Sequence, residues 1–278
     1  MSMDMNEFFS GNVREPRIFD THAHYDDEAF DADREEIIES LKTEGIGRVV
    51  NVGARILGSE NSVALAEKYD FFYAAVGVHP DDCLDMDESW IKRLRELSAH
   101  KKCVAIGEIG LDYHGFDIYE NKPSKELQQK WFKRQLELAA ETDKPVIIHS
   151  RNASEDTLLT MKWAKEVLGI KDAIIHCFSY SQETAKQYVA FGYYLGFGGV
   201  VTYEGQRKLT KVLEAVPLES IVLETDCPYL APAPHRGERN YSGYLHTVVE
   251  KLAQIKGTTP EEVKEVTYRN ACRVYRLS

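Results

Sequence analysis

Short hydrophobic runs recur along the chain and alternate with longer stretches of helical periodicity. Eight runs rich in Val, Ile, Tyr and Phe predict β-strands at 17–20, 47–52, 72–78, 103–107, 145–149, 172–176, 193–197 and 221–225. Most runs are continuous rather than alternating, which is typical of parallel strands buried on both faces. The stretches between and after them predict helices at 31–45, 59–69, 87–100, 125–142, 154–169, 181–192, 206–216 and 260–267.

Eight β/α units within about 250 residues predict a single-domain (β/α)8 TIM barrel, an α/β fold. A doubly wound open sheet is the alternative, but it would gather its functional residues at one switch point rather than along most strands. We expect residues 1–16 to be a disordered leader and residues 17–278 to form the barrel domain.

Composition narrows the classes of protein that remain. No apolar stretch reaches the roughly 18 residues that a membrane span needs. The five cysteines are odd in number and widely spaced, which favours a reduced, cytoplasmic setting over a disulfide framework. The net charge of −11 argues against a protein that coats DNA through a broad basic surface, although a small site carrying metal ions remains open.

Histidine and carboxylate residues stand at the C-terminal ends of most predicted strands. Those ends meet at one mouth of a barrel, so the side chains are expected to converge. Two histidines two residues apart on extended backbone also face the same side and can reach one ion. The candidate metal ligands are His22, His24, Glu108, His149, His176 and Asp226.

Particular roles follow from the chemistry of each carboxylate. Glu108 can bridge two cations because it offers two oxygens, and Asp226 can bind a metal and also hold or deprotonate the attacking water. These two residues are therefore the catalytic candidates. Glu224 is expected to orient a ligand imidazole. Asp112 and Tyr113 are expected in the loop after the fourth strand, where they would shape the pocket or only support it.

Six motifs, in order, resemble the TatD family of metal-dependent deoxyribonucleases, which are amidohydrolase-type barrels. They are DTHAH at 20–24, GVHP at 77–80, GEIGLDY at 107–113, VIIHSR at 146–151, IHCFS at 175–179 and ETDCPYL at 224–230. The resemblance runs from about residue 17 to the C-terminus. It implies a (β/α)8 fold, two divalent metal ions, and hydrolysis of DNA phosphodiester bonds, commonly with magnesium.

The resemblance also implies a division of the ligands between two metals. One metal would lie on His22, His24 and Asp226, the other on His149 and His176, with Glu108 between them. His79, Arg151 and Arg236 would approach the substrate phosphate. Two residues depart from the family pattern: Tyr180 replaces a usual glycine and predicts a narrower pocket, and Ser242 replaces a common proline and puts the shape of its loop in question.

Three functions remain open from the sequence. The first is a DNA phosphodiesterase, an exonuclease, which uses a water or hydroxide activated by two metals. The second keeps the two metals but cleaves an ester, lactone, amide or aminoacyl-tRNA linkage. Histidine-rich ligation suits zinc, manganese or iron better than magnesium, which keeps this alternative open. Mg, Mn and Zn are the candidate metals. The third is a non-catalytic partner protein that retained the barrel.

Overall fold

The computed structural model describes residues 17–116 and 118–278, and the predicted leader at 1–16 lies outside these ranges. Eight strands form one parallel sheet in which each strand pairs with the next along the chain. They are β1 (Ile18–Ala23), β2 (Ile46–Val52), β3 (Phe72–Val76), β4 (Cys103–Asp112), β5 (Val146–Arg151), β6 (Ala173–Ile175), β7 (Tyr194–Phe197) and β8 (Ile221–Leu223).

The first and last strands meet, so the sheet closes into a barrel. The Thr21 hydroxyl donates to the Leu223 carbonyl at 2.9 Å, and just beyond β8 Asp226 N donates to the His22 carbonyl at 2.9 Å. A parallel bridge joins Ala23 and Cys227. The predicted single-domain (β/α)8 barrel is confirmed, and the doubly wound alternative is wrong.

Helices follow the strands and cover the outside of the barrel. In the described ranges they are α1 (Arg34–Leu41), α2 (Ile56–Lys68), α3 (Glu88–Ser98), α4 (Lys125–Glu141), α5 (Ser154–Trp163), α6 (Gln182–Ala190), α7 (Arg207–Ala215), α8 (Leu245–Lys256) and α9 (Pro260–Val274). A π-helical turn, Ala164–Leu168, continues α5. The sequence reasoning did not predict α8, and it ended α9 too early. Within these ranges no helix is long and apolar enough to cross a bilayer.

The barrel interior is filled by side chains and closed at one end. Each strand contributes to this inner cluster, which includes Phe19, Val50, Ala75, Ala105, Ile147, Ile174, Tyr194 and Val222. Val274 and Tyr275, at the end of α9, pack against the same cluster, and the Tyr275 hydroxyl donates to the Thr21 carbonyl at 2.8 Å. The open mouth is therefore at the other end, where the strands finish.

Two strands depart from regular pairing just before the mouth. The register shifts between Asp20 and Ala23 in β1 and between Ile106 and Ile109 in β4. β4 also runs to Asp112, so the expectation that Asp112 lies in the following loop is wrong. The hydrophobic run ends at Ile106, and the strand continues because its backbone still pairs with β5 through Asp112 and Arg151.

Candidate metal centre

The six predicted ligands lie together at the mouth, although they are spread over some two hundred residues of sequence. The rings of His22 and His176, from opposite sides of the barrel, stack with centroids 3.7 Å apart. His22 Nε2 and His24 Nε2 are 3.0 Å apart, so both imidazoles point at the same space. The side chains of His22, Glu108 and His176 are buried.

Glu108 lies at the middle of this cluster, with its two oxygens facing different pairs of imidazoles. Oε2 is 3.4 Å from His22 Nε2 and 3.9 Å from His24 Nε2. Oε1 is 2.8 Å from His149 Nδ1 and 3.8 Å from His176 Nε2. One carboxylate therefore separates the cluster into two neighbouring groups of donors.

Asp226 faces the same space from just beyond β8, the last strand of the barrel. Its Oδ1 is 3.3 Å from His24 Nε2 and 3.7 Å from His22 Nε2. The distance from Oδ1 to His176 Nε2 is also 3.7 Å. The Asp226 backbone has φ of 58°, in the left-handed region that aspartate tolerates better than most residues. Its N–H bond to the His22 carbonyl holds this conformation.

The register shifts explain how these side chains come to face inward. Phe19 lies inside the barrel, so strict alternation would place Thr21 and Ala23 inside and His22 outside. An extra residue at an irregularity of this kind re-aims the side chains that follow it. His22 therefore turns toward the interior, and the shift in β4 does the same for Glu108 after Ala105.

The charged and buried groups of the cluster shift one another's pKa values. Burial opposes protonation of the imidazoles, but the Asp226 carboxylate raises the pKa of His24 to about 9. Asp112 and Glu108 together raise the pKa of His149 to about 9, again against burial. Burial and the nearby His176 charge instead lower the pKa of His22. Against burial, the positive charges around Glu108 hold the pKa of its carboxyl well below the usual range.

The donor set fits divalent cations. Groups of three ligand atoms that lie within 4.8 Å of one another include His22, His24 and Glu108 on one side and Glu108, His149 and His176 on the other. Two imidazole nitrogens only 3.0 Å apart need a proton or a cation between them. Imidazole and carboxylate ligands suit zinc and manganese, and carboxylates also suit magnesium.

Glu224 contacts the outer nitrogen of His176. Its Oε1 is 3.1 Å from His176 Nδ1 and accepts a hydrogen bond from Cys177 N at 2.6 Å. The carboxylate is 1% exposed and has room because Gly196 lacks a side chain: a Cβ there would lie 2.1 Å from Glu224 Oε2. Such a contact fixes the ring of an imidazole and leaves Nε2 for a cation.

The three candidates for phosphate binding lie at different depths. His79 is half-buried with its ring edge-on to His149, the centroids 4.3 Å apart. Burial and the His149 charge lower the pKa of His79 to about 3, so it is a neutral side chain. Arg151 ends β5 and is exposed. Arg236 is also exposed and lies over the Tyr203 ring at 4.6 Å.

The two departures from the family pattern are bonded to the scaffold. The Tyr180 hydroxyl contacts Ser150 Oγ at 2.9 Å and accepts from Ala153 N at 3.2 Å, which ties it to the loop after β5. Ser242 Oγ donates to Asp20 Oδ2 at 2.7 Å. Asp20 is fully buried beneath His22 and His24, so the Ser242 loop supports the strand that carries both histidines.

Sequence reasoning gave Asp112 only a general pocket role and did not single out Lys122. Asp112 Oδ2 lies 3.0 Å from His149 Nε2, and Lys122 Nζ lies 3.0 Å from Asp112 Oδ1. The signal for Asp112 was its position four residues after Glu108, just beyond the predicted fourth strand. Lys122 lies in an irregular segment between β4 and α4, where no periodicity predicts the direction of a side chain.

Comparisons with known proteins agree with this geometry. The model of the family described as TatD related DNase matches residues 19–276. The uncharacterized metal-dependent hydrolase YabD of Bacillus subtilis is 43% identical over 263 residues, 94% of this chain and 100% of that protein. A Cronobacter sakazakii protein named 3'-5' ssDNA/RNA exonuclease TatD is 33% identical over 264 residues, 93% of this chain and 97% of that protein.

A solved structure extends the likeness to three dimensions. The crystal structure of YjjV, a TatD homologue from Escherichia coli K12, superposes with a TM-score of 0.87 at 30% identity, covering 95% of this chain and 99% of that chain. The expected family resemblance is therefore confirmed. This chain belongs to the TatD family of metal-dependent hydrolases.

Proposed function

We propose that the chain is a two-metal phosphodiesterase that hydrolyses nucleic acid strands from an end, and that its main substrate is DNA. The observation that carries this proposal is the position of Glu108. Its Oε2 faces His22 and His24, while its Oε1 faces His149 and His176. A bridging carboxylate between two imidazole pairs is the arrangement that a dinuclear hydrolase needs.

The ligands divide accordingly. His22, His24 and Asp226 would hold one cation, His149 and His176 the other, and Glu108 both. When bound, two divalent cations supply Lewis-acid stabilisation of a phosphoryl group and lower the pKa of water. Magnesium, manganese and zinc all remain candidates; four imidazoles favour the last two.

The residues of the chain perform the remaining tasks. Asp226 holds the attacking water and accepts its proton, since its carboxylate is 19% exposed and faces the open mouth. Glu224 orients His176. Arg151 and Arg236 on the rim, with His79 deeper inside, bind the substrate phosphate. Guanidinium groups pair with phosphate oxygens in a bidentate fashion and remain charged at all physiological pH values.

The preference for a strand end rests on two supports. The relative from Cronobacter sakazakii is named an exonuclease of single-stranded DNA and RNA. The net charge of −11 disfavours a long duplex footprint, since non-specific affinity for DNA depends on neutralising many phosphates. A short strand that enters the mouth needs only a few cationic contacts. A cytoplasmic location stays a prediction.

The test is a substrate panel. Protein stripped with a chelator and reloaded with Mg²⁺, Mn²⁺ or Zn²⁺ is incubated with labelled single- and double-stranded DNA, RNA, aryl esters, lactones and an aminoacyl-tRNA mimic. We expect single strands to shorten one nucleotide at a time with at least one metal. The Glu108→Gln variant should not shorten them, whereas the exposed control Glu155→Gln should.

The other outcomes decide between the remaining functions. Hydrolysis of esters, lactones or the aminoacyl mimic with intact oligonucleotides would replace the phosphodiesterase proposal by the alternative. Activity on none of the substrates with any metal would support a non-catalytic role.

A further inference from the structure

Beside the centre, a chain of polar contacts joins the ends of β4 and β5 to the loops after β3 and β4. Asp112, at the end of β4, is 3% exposed, and its two oxygens have different partners. Oδ2 lies 3.0 Å from His149 Nε2, and Oδ1 lies 3.0 Å from Lys122 Nζ. The same ammonium is 2.6 Å from Asp81 Oδ1 in the loop after β3. Lys122, in the loop after β4, thus joins Asp112 to the loop after β3, and Asp112 in turn contacts His149 on β5.

Lys122 is unusual because its side chain is only 4% exposed. Lysine is rarely buried unless it is paired, because an ammonium loses its hydration. Two carboxylates compensate that loss here. An exposed ion pair would be enough to anchor the loop after β4, and it would not require a buried ammonium. The burial of Lys122 therefore indicates that its charge acts on the Asp112 carboxylate.

The contact with Lys122 fixes what Asp112 can do. Oδ1 is held by the ammonium and by His114 N, which donates to it at 2.8 Å, and this leaves Oδ2 to face His149. A carboxylate so close to a cation site could otherwise swing in and become a ligand. Lys122 therefore keeps Asp112 as the partner of an imidazole rather than as a competitor for the metal.

His149 is held from three directions. Asp112 meets Nε2, while Nδ1 lies 2.8 Å from Glu108 Oε1. The ring of His79 packs edge-on at 4.3 Å, and His79 Nδ1 accepts from Asp81 N at 3.2 Å. When the Asp112 carboxylate accepts a hydrogen bond from Nε2–H, the proton stays on Nε2 and the Nδ1 lone pair is directed at the Glu108 side of the cluster.

We propose that Asp112 is a positioning residue that sets the tautomer and ring orientation of His149, and that buried Lys122 holds Asp112 in this role. The inference rests on the proposed two-metal function and adds an asymmetry to it. The cation at His149 and His176 depends on Lys122, whereas the cation at His22, His24 and Asp226 does not.

Manganese is a suitable probe because its uptake can be measured without substrate. Binding of Mn²⁺ is followed by calorimetry, and the spin coupling of a manganese pair by electron paramagnetic resonance. The parent should bind two ions and show a coupled spectrum. Lys122→Met and Asp112→Asn should bind one ion as the parent does and the second about 10–100-fold more weakly, with loss of the coupled signal at the same manganese concentration.

Lys102→Met is the matched control. Lys102 is partly buried at the opposite end of the barrel, where its Nζ donates to the carbonyls of Ala66 and Tyr69. Its loss should lower thermal stability without changing manganese uptake. Lys122→Arg keeps a cation beside Asp112 and should retain the second ion. If Lys122→Met does not fold, the Mn²⁺ binding of Asp112→Asn is compared with that of Lys122→Arg instead.

Two results would overturn the inference. The first is binding of both ions by folded Asp112→Asn and Lys122→Met with affinities within about twofold of the parent, since positioning losses are expected to be at least tenfold. The second is a parent that takes up no pair of ions, which would also remove the proposed two-metal function. A parent that binds two ions but cleaves no nucleic acid would leave the positioning role intact and refute only the substrate.

Discussion

At the scale of single residues, the most informative feature is that the two carboxylate oxygens of Glu108 face different imidazoles. No other residue of the cluster has one oxygen toward His22 and the other toward His149. Sequence reasoning could identify Glu108 and its neighbours because each follows a hydrophobic run. It could not give the distances between them, because the register shifts in β1 and β4 leave no mark in the hydrophobic pattern.

Replacing Glu108 by Gln should abolish turnover while preserving the fold. The amide loses the charge that balances two cations and offers only one good acceptor. Losing even about 3 kcal/mol of transition-state stabilisation slows a reaction about a hundredfold. Steady-state rates on the preferred substrate, with circular dichroism as the folding check, measure the effect. Turnover within about tenfold of the parent would show that Glu108 bridges nothing.

Gly196 gives a second prediction at this scale. A Cβ there meets Glu224 Oε2 at 2.1 Å, so Gly196→Ala must displace the carboxylate that contacts His176. Overpacking of this kind destabilises a protein by about 1–3 kcal/mol, measurable by urea unfolding. The shorter Glu224→Asp side chain withdraws from the clash, so the double variant should lose less than the sum of the two single losses. Additive losses would contradict the contact.

At the scale of elements, the hydrophobic pattern was sufficient for the strands and most helices, but α8 was missed. Its first turn follows Ser242, Gly243 and Tyr244, and its N-cap, Tyr244, makes no side-chain capping bond within the described chain. A helix without an N-cap signal, entered from a glycine-containing turn, resembles a loop in sequence. Packing stabilises α8 as a helix, because its apolar side chains are buried in the core outside the barrel. These are Leu245, Val248, Val249 and Leu252.

The N-cap of α9 gives a prediction for an element. Thr259 Oγ1 accepts a hydrogen bond from Glu262 N at 3.2 Å. Thr259→Ala should reduce stability by about 1 kcal/mol, seen as a lower melting temperature, with manganese uptake unchanged because α9 closes the far end of the barrel. Thr258→Ala is the control, since its hydroxyl contacts the Glu262 side chain. An equal loss from both variants would argue against capping.

At the scale of the whole molecule, the centre exists only when the barrel is closed. His22 comes from the first strand and Asp226 from just beyond the last, and a backbone bond joins them. The closed fold could be predicted because eight β/α units of suitable length leave few other topologies. The contacts between distant loops could not, because irregular segments carry no periodicity. One such contact joins the last and first β/α units: the Arg239 guanidinium donates two hydrogen bonds to the Asp33 carboxylate, at 2.8 and 2.6 Å.

The Arg239 contact predicts a pH dependence. Hydrogen bonding by Arg239 lowers the pKa of Asp33 below 3.8. Stability from a depressed carboxyl pKa is present above the unfolded value and is lost as the pH falls through the folded value. Arg239→Met should therefore lower the melting temperature at neutral pH, and its difference from the parent should shrink as the pH falls below the ordinary carboxyl pKa and through the lowered pKa of Asp33. A constant difference would assign the effect to the packing of Arg239 on Phe30.

If two cations lie on either side of Glu108, anomalous diffraction from crystals grown with Mn²⁺ will locate both. We expect two anomalous peaks at the mouth. One should contact His22, His24 and Asp226, the other His149 and His176, and each should contact one oxygen of Glu108. A single peak that Glu108 does not touch, or no peak at this mouth in protein that still hydrolyses its substrate, would show that Glu108 does not join two cations.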